Sequence, residues 1–131
     1  MAKKFNHKIK IYYEDTDSGG VVYYANYLKY LERARSEAIY SLGLSNSKLQ
    51  KDYGALIIVK SCNINYKKPA KFEDNLEIFS SVISKTRTSF SMSQIIKRNE
   101  EIISEAEVQL VTVNDEGRPI KIPEVLLKLF D

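Results

Sequence analysis

The spacing of apolar and polar positions changes twice along this chain of 131 residues. Near the start, "HKIKIYY" alternates lysine with isoleucine, the period of two expected of a strand with one buried face. From Asn26 the period lengthens. Tyr27, Leu31, Ala34, Ala38 and Leu42 recur at steps of three and four, while Lys29, Glu32, Arg33 and Glu37 fall off that line, which predicts an amphipathic helix over 26–42. Asn26 is the expected N-cap and Gly43 the stop. Alanines at the centre of the stripe would let another element approach closely. After residue 54 the period returns to two. "ALIIVKSCNINYK" reads as a strand ended by Pro69, and three more follow. "LEIFSSVIS" puts Leu76, Ile78 and Val82 on one face; "SFSMSQIIK" does so with Phe90, Met92 and Ile96, and "SEAEVQLVTV" with Ala106, Val108 and Leu110. The short links "KTR" and "RNEE" predict consecutive antiparallel hairpins. "NDEG" is a turn, and "PEVLLKLF" can form a short amphipathic helix after Pro123. The sum is an α+β domain, a helix packed on one face of an antiparallel sheet, with edges that a second copy could pair.

Composition narrows the class. The length fits a single domain over 1–131, and 44% hydrophobic with 28% charged residues is ordinary for a folded domain with a core. There is no apolar run long enough for a membrane span, and "MAKKFNHKIKIYYED" has no hydrophobic segment of a secretory signal. The lone cysteine, Cys62, cannot form an internal disulfide, which fits a reducing cytoplasm, and its expected place is the core. The one histidine, His7, and the lack of C-x-x-C leave almost no material for a zinc site or a histidine triad, so no metal is expected. A net charge of +3 with dispersed lysines lacks the dense basic stripe of a nucleic-acid binder and suits a smaller phosphorylated anion.

The chemistry concentrates in "YYEDTDSGGVVYYANYLKYLERAR", residues 12–35, where Glu14, Asp15 and Asp17 precede two glycines and the helix start. A calcium loop counted from Asp15 would find Gly19 at position five and Asn26 at position twelve, both wrong for oxygen ligands. The Asp17-Ser18-Gly19 triplet lacks the buried β context of an aspartic protease, and a phosphatase-type D-x-D lacks the parallel sheet behind it. The acids could simply cap and turn the chain. Yet backbone N–H groups at a helix start favour negative charge, and spare ones can bind a developing oxyanion. A base or nucleophile beside an oxyanion site is the minimum set for attack on an acyl carbon.

The whole stretch resembles the signature of hotdog-fold acyl-CoA thioesterases, the 4-hydroxybenzoyl-CoA thioesterase family, and most of all its bacterial subgroup associated with the Tol–Pal system. The shared pattern is an aromatic residue, D-x-D-x-x-G, two aliphatics, an aromatic pair, A-N-Y, then E-x-A-R on the helix. "INYKKPAKFEDNLEI", "KTRTSFSM" and "GRPIKIPEVL" echo it further along, so the resemblance covers nearly the whole chain. It implies a long central helix wrapped by a curved antiparallel sheet of about five strands, dimers that often form tetramers, and sites between subunits. It implies that the second aspartate of D-x-D, here Asp17, is catalytic and that the oxyanion meets the backbone N–H of Tyr24. Many members of the subgroup carry a histidine at the Tyr24 position; a backbone role survives that difference.

The implied reaction is hydrolysis of an acyl-CoA thioester to a carboxylic acid and CoA, with Asp17 as nucleophile or as general base toward water. No cofactor is called for, coenzyme A being part of the substrate; an acyl-carrier protein is another possible acyl donor. Lys85, Arg87 and Lys121, by similarity to basic family positions, are candidates to meet the CoA phosphates, and Lys60 is a further one; Arg87 can bind phosphate bidentately. Each could instead be a solvated surface cation. Glu32 can support catalysis or pair with Arg35 one turn on. His7 is assigned no chemistry. The alternative to an enzyme is a module of the same fold that binds an acyl-CoA or acyl-carrier protein without turnover. A dehydratase of this fold would want a histidine, and none is near.

Overall fold

The computed structural model describes residues 3–130. Five strands, β1 (Lys4–Lys10), β2 (Leu56–Tyr66), β3 (Asn75–Lys85), β4 (Ser89–Arg98) and β5 (Glu101–Val113), form one sheet in the order β1-β3-β4-β5-β2. Every pairing is antiparallel. Helix α1 (Asn26–Ser41) packs on one face, followed by α2 (Asn46–Tyr53), and a 3-10 segment, Glu124–Leu129, closes the chain. This is the α+β arrangement that the periodicity predicts.

The alternating strands bury the expected face. Leu76, Ile78, Val82, Phe90, Met92, Ile96, Ala106, Val108 and Leu110 are all buried, against Tyr27, Leu31, Ala34 and Ala38 of α1. The core falls into two clusters along the helix. Tyr27, Tyr30, Leu31 and Ala34 meet Leu76, Ile78, Ile96 and Ile103 at its start. Ala38 and Ile39 meet Val82, Phe90, Met92, Leu126 and Leu129 at its end. Between them, Gln94 is fully buried on the same sheet face. Its amide nitrogen donates to the Leu31 carbonyl and to Ser80 Oγ, each at 3.0 Å, and its oxygen accepts from Arg35 Nη1 at 3.0 Å. Satisfied in this way, a polar residue is tolerated at the centre of a core.

Several local expectations shift. Asn26 is the first residue of α1 rather than its cap; the cap position is Ala25, which makes no side-chain bond. The Asn26 amide turns back instead to the Asp15 carbonyl at 2.8 Å. The first strand stops at Lys10, because the Asp15 carboxylate accepts the Tyr12 N–H at 2.8 Å and winds Tyr13–Asp15 into a 3-10 turn. Helix α2 was not expected. Its signals are local: Ser45 accepts the Lys48 N–H, Gly54 closes it at φ +63°, and Leu49 anchors it in the core. The expected short tail helix is present, as the 3-10 segment Glu124–Leu129 with Leu126 and Leu129 buried.

Strand β2 sits on the sheet edge, pairs with β5 alone, and is interrupted by a bulge at Lys60. Because α1 does not reach over it, residues 58–63 are exposed, and Cys62 is on the surface rather than in the core. Among the described residues no helix is long and apolar enough to cross a membrane.

Candidate active site

The acidic loop is a small hairpin built by its own backbone. Thr16 and Val22 form an antiparallel bridge, the Asp17 N–H donates to the Val21 carbonyl at 2.9 Å, and the Gly20 N–H donates to the Asp17 carbonyl at 3.0 Å. Gly20 takes φ +79°, a left-handed conformation that suits glycine. Asp17 Oδ1 accepts the Gly19 N–H at 2.9 Å, which fixes the carboxylate over the turn while leaving the side chain exposed. A Cβ on Gly19 would lie 3.3 Å from that same oxygen, so the small residue there keeps the carboxylate in its place.

The hairpin is clasped to the mouth of α1. The Asp15 carbonyl accepts both the Tyr23 N–H at 3.0 Å and the Asn26 amide at 2.8 Å. On the other side, the Val22 N–H donates to the Ala70 carbonyl at 2.8 Å, and the Ala70 N–H donates to the buried Tyr27 hydroxyl at 3.1 Å. The segment carrying Ala70 is held in turn by Arg98, which bonds Pro69 O, Asp74 and Glu101, while Lys68 pairs with the other oxygen of Glu101. Hydrogen bonds from Lys68 and then Arg98 hold the Glu101 carboxyl down at about 2. The Tyr30 hydroxyl is buried beneath the hairpin. Burial first, and then the neighbouring Asp15 carboxylate, push its ionisation well above the ordinary tyrosine range, yet the two groups do not complete a well-formed hydrogen bond.

Among the described residues the backbone N–H groups of Tyr24 and Ala25 meet no acceptor. They stand at the positive end of α1, where a developing oxyanion is favoured. The Tyr24 carbonyl is taken by the Tyr66 hydroxyl at 3.2 Å, and the Tyr24 and Tyr66 rings meet edge to face. Val22, Tyr24, Tyr27 and Tyr66 line a recess of about 280 Å³ beside the helix mouth. The structure thus brings Asp17 and Tyr24 into one loop-and-helix unit. Its supports, Asn26, Tyr66 and the second free N–H of Ala25, were not legible beforehand; the A-N-Y run was visible as a string without its hydrogen bonds.

The basic candidates lie elsewhere. Arg87 and Lys85 occupy the β3–β4 hairpin, beyond the end of α1. The Arg87 carbonyl accepts the Ile122 N–H at 2.9 Å, which brings Lys121 to the same end, and Lys85 Nζ lies 5.0 Å from the centre of the Phe130 ring. All three are exposed, as is Lys60 at the β2 bulge. The length of α1, 16 residues or about 24 Å, separates this group from the helix mouth. An apolar cavity of about 150 Å³ lies at the same far end, between α1 and β2. The Glu32–Arg35 pair expected on the helix does not form. Glu32 accepts from Ser36 Oγ at 2.6 Å, and Arg35 turns inward to Gln94, because the buried amide oxygen offers it a fixed acceptor. Among the described residues no three His, Cys, Asp or Glu side chains cluster as metal ligands would.

Residues 12–130 match the model of the Thioesterase-like superfamily. The chain belongs to that family. It is 34% identical over 128 residues to the acyl-CoA thioester hydrolase YbgC of Escherichia coli O6:H1, spanning 96% of this chain and 95% of that protein. It is 32% identical over 127 residues to the acyl-CoA thioesterase YbgC of Haemophilus influenzae, spanning 96% and 93%. Among solved structures, a probable thioesterase from Bartonella henselae superposes with a TM-score of 0.87 at 31% identity, over 92% of this chain and all of that one. A mutant 4-hydroxybenzoyl CoA thioesterase complexed with 4-hydroxybenzoyl CoA superposes with a TM-score of 0.92 at 22% identity, over 99% and 100%. That last likeness is one of fold, and it agrees with the hotdog architecture of a central helix against an antiparallel sheet.

Proposed function

We propose that the chain is an acyl-CoA thioesterase in which Asp17 attacks the thioester, or activates the water that does, while the Tyr24 N–H receives the oxyanion. The observation that carries this reading is the Asp17 hairpin clasped to a helix mouth where, among the described residues, the Tyr24 and Ala25 N–H groups meet no acceptor. As nucleophile, the free Asp17 oxygen bonds to the acyl carbon, CoA leaves as thiolate, and water then cleaves the mixed anhydride to give the carboxylic acid and restore Asp17. As base, Asp17 takes a proton from water, which makes the same product in one addition. Asp15 serves the loop, its carboxylate already bonded to the Tyr12 N–H. The reaction as written needs no cofactor or metal.

The working unit in this reading is a pair of chains. Asp17 and Tyr24 stand at one end of α1, whereas Lys85, Arg87 and Lys121 stand at the other, so one chain alone does not bring Asp17 and these three cations together. Pairing along the bare edge of β2 joins one chain's helix mouth to its partner's basic end, and two such dimers can make a tetramer. The placement of the work is the cytoplasm, with acyl-CoA as donor and an acyl-carrier protein as the competing one.

Asp17→Asn tests the reading. Asparagine can still accept the Gly19 N–H, so the turn persists, and what is lost is charge and basicity. Single-turnover hydrolysis should fall by roughly a hundredfold or more, with folding and CoA binding retained, and Asp15→Asn should lose less. The Asp17 side chain already satisfies a turn hydrogen bond, which is the observation favouring a binding module. Near-normal turnover in Asp17→Asn would favour that module.

A further inference from the structure

We propose that Tyr66, at the end of β2, is a positioning residue for the reaction: its hydroxyl holds the Tyr24–Ala25 peptide so that the Ala25 N–H serves as a second donor to the oxyanion, beside that of Tyr24. The inference rests on the thioesterase reading and adds to it a donor and the side chain that aims it. The bond runs from the Tyr66 hydroxyl to the Tyr24 carbonyl at 3.2 Å. That carbonyl and the Ala25 N–H are opposite edges of one planar trans peptide, so a donor that fixes the oxygen also fixes the direction of the N–H. The same bond draws electron density toward the oxygen and leaves the N–H a stronger donor, a cooperative gain of about 10 to 30% per bond.

The helix start lacks any other such hold. Ala25 occupies the cap position and makes no side-chain bond, and the Tyr24 carbonyl receives the Tyr27 N–H at a long 3.3 Å. Among the described residues no other side chain bonds a backbone group of Tyr24 or Ala25. Tyr66 is itself anchored. Its backbone stands opposite Ser104 in the β2–β5 ladder, and the next two residues, Lys67 and Lys68, both donate their N–H groups to the Ile103 carbonyl, at 2.8 and 3.1 Å. Its ring meets the buried Tyr27 ring edge to face at 5.0 Å and the Tyr24 ring at 6.4 Å. Partial burial first, and then the neighbouring Tyr27, Cys62 and Tyr24 groups, push the Tyr66 phenol above the ordinary tyrosine range, so it stays a protonated donor at neutral pH. Tyr66→Phe keeps the ring contacts and loses the bond to the Tyr24 carbonyl.

The test is Tyr66→Phe, read by kcat and KM for thiol release from acetyl-, hexanoyl- and benzoyl-CoA. The side chain is half-exposed and the variant keeps its ring, so it should fold as the wild type does, which a thermal melt checks. kcat should fall by about tenfold with KM within about twofold, since a whole oxyanion donor is worth about a hundredfold to a thousandfold and here its aim alone is loosened. The loss should be the same at every pH across the neutral range, because the hydroxyl exchanges no proton with the substrate. A second readout uses an Asp17→Asn background, in which the thioester binds without being cleaved. There the infrared stretch of an isotope-labelled thioester carbonyl should lie at higher frequency with Tyr66→Phe than without it, the mark of a less polarised bond. In the folded variant, a wild-type kcat, a rise in KM alone, a loss that varies with pH, or an unmoved carbonyl frequency each overturns the positioning role and leaves the thioesterase reading standing. No thiol release by the wild type from any of the three thioesters overturns both.

Discussion

Gly19→Ala separates the placement of Asp17 from the stability of its loop. Gly19 has no positive φ, so the backbone accepts an alanine without strain, and its one close neighbour is Asp17 Oδ1 at 3.3 Å from the new Cβ. Relief by a few tenths of an ångström falls on the carboxylate, because Asp17 is the far end of a side chain held there by a single hydrogen bond of 2.9 Å. The cost in stability is therefore at most about 1 kcal/mol, the net worth of that bond. The cost in rate should be roughly fourfold to tenfold, since a full ångström of misplacement of a reacting group can lower turnover by about a hundredfold and the shift here is a few tenths of that. Gly20→Ala supplies the opposite case. Its Cβ meets nothing within 4 Å, but φ is +79°, so it should destabilise by about 1 to 2 kcal/mol through the left-handed backbone, with less effect on rate once folded. Thermal melts give the first quantity and thiol release from a short acyl-CoA the second. A folded Gly19→Ala with wild-type kcat/KM would refute the claim that the position of this carboxylate matters to the reaction.

Three further outcomes follow from the core and the clasp. Tyr30→Phe removes a buried hydroxyl that meets no hydrogen-bond partner among the described residues, so denaturant unfolding should show stability unchanged or raised by about 1 kcal/mol; a loss of about 1 kcal/mol or more would mean the hydroxyl does bond Asp15. Gln94→Leu strands Arg35, Ser80 and the Leu31 carbonyl together, and urea unfolding should show a loss of about 2 to 3 kcal/mol, whereas a neutral result would contradict the network. The Glu101 carboxyl is depressed to about 2, so its contribution is complete above the ordinary glutamate range and is lost as pH falls from there through 2. Glu101→Gln should flatten that part of the acid melting profile, and an unchanged slope would remove the Lys68–Glu101–Arg98 group from the account.

The periodicity carried the fold well because burial in this sheet is one-sided. Leu76, Ile78 and Val82, or Phe90, Met92 and Ile96, alternate with polar residues and can face only one way. What escaped was set by hydrogen bonds that cross the chain. Asn26 has the composition of a cap, but an acceptor eleven residues earlier drew its amide away from that role. Arg35 and Glu32 have the spacing of an ion pair, and a buried glutamine 59 positions on took the arginine. Cys62 follows the strand alternation, yet the helix that would have covered it stops short of the edge. Asp17 was visible through the motif. The opposite placement of the basic residues was not, because only the run of β3 away from the helix mouth puts Lys85 and Arg87 at the far end.

The bulge at Lys60 has a consequence for how many copies can join. A long, regular, uncovered edge would accept the same edge of another chain and then offer its own far side for more, in the manner of a fibre. Here the strand is bent at its middle, and the opposite edge of the sheet, β1, is shorter and carries Lys4, Lys8 and Lys10. Two such bent edges, if they paired about a two-fold axis as proposed, would exhaust each other and leave like charges at both ends. In the proposed dimer, growth would stop where it begins, so an edge that could otherwise invite precipitation in a crowded cell would instead close a particle of fixed size.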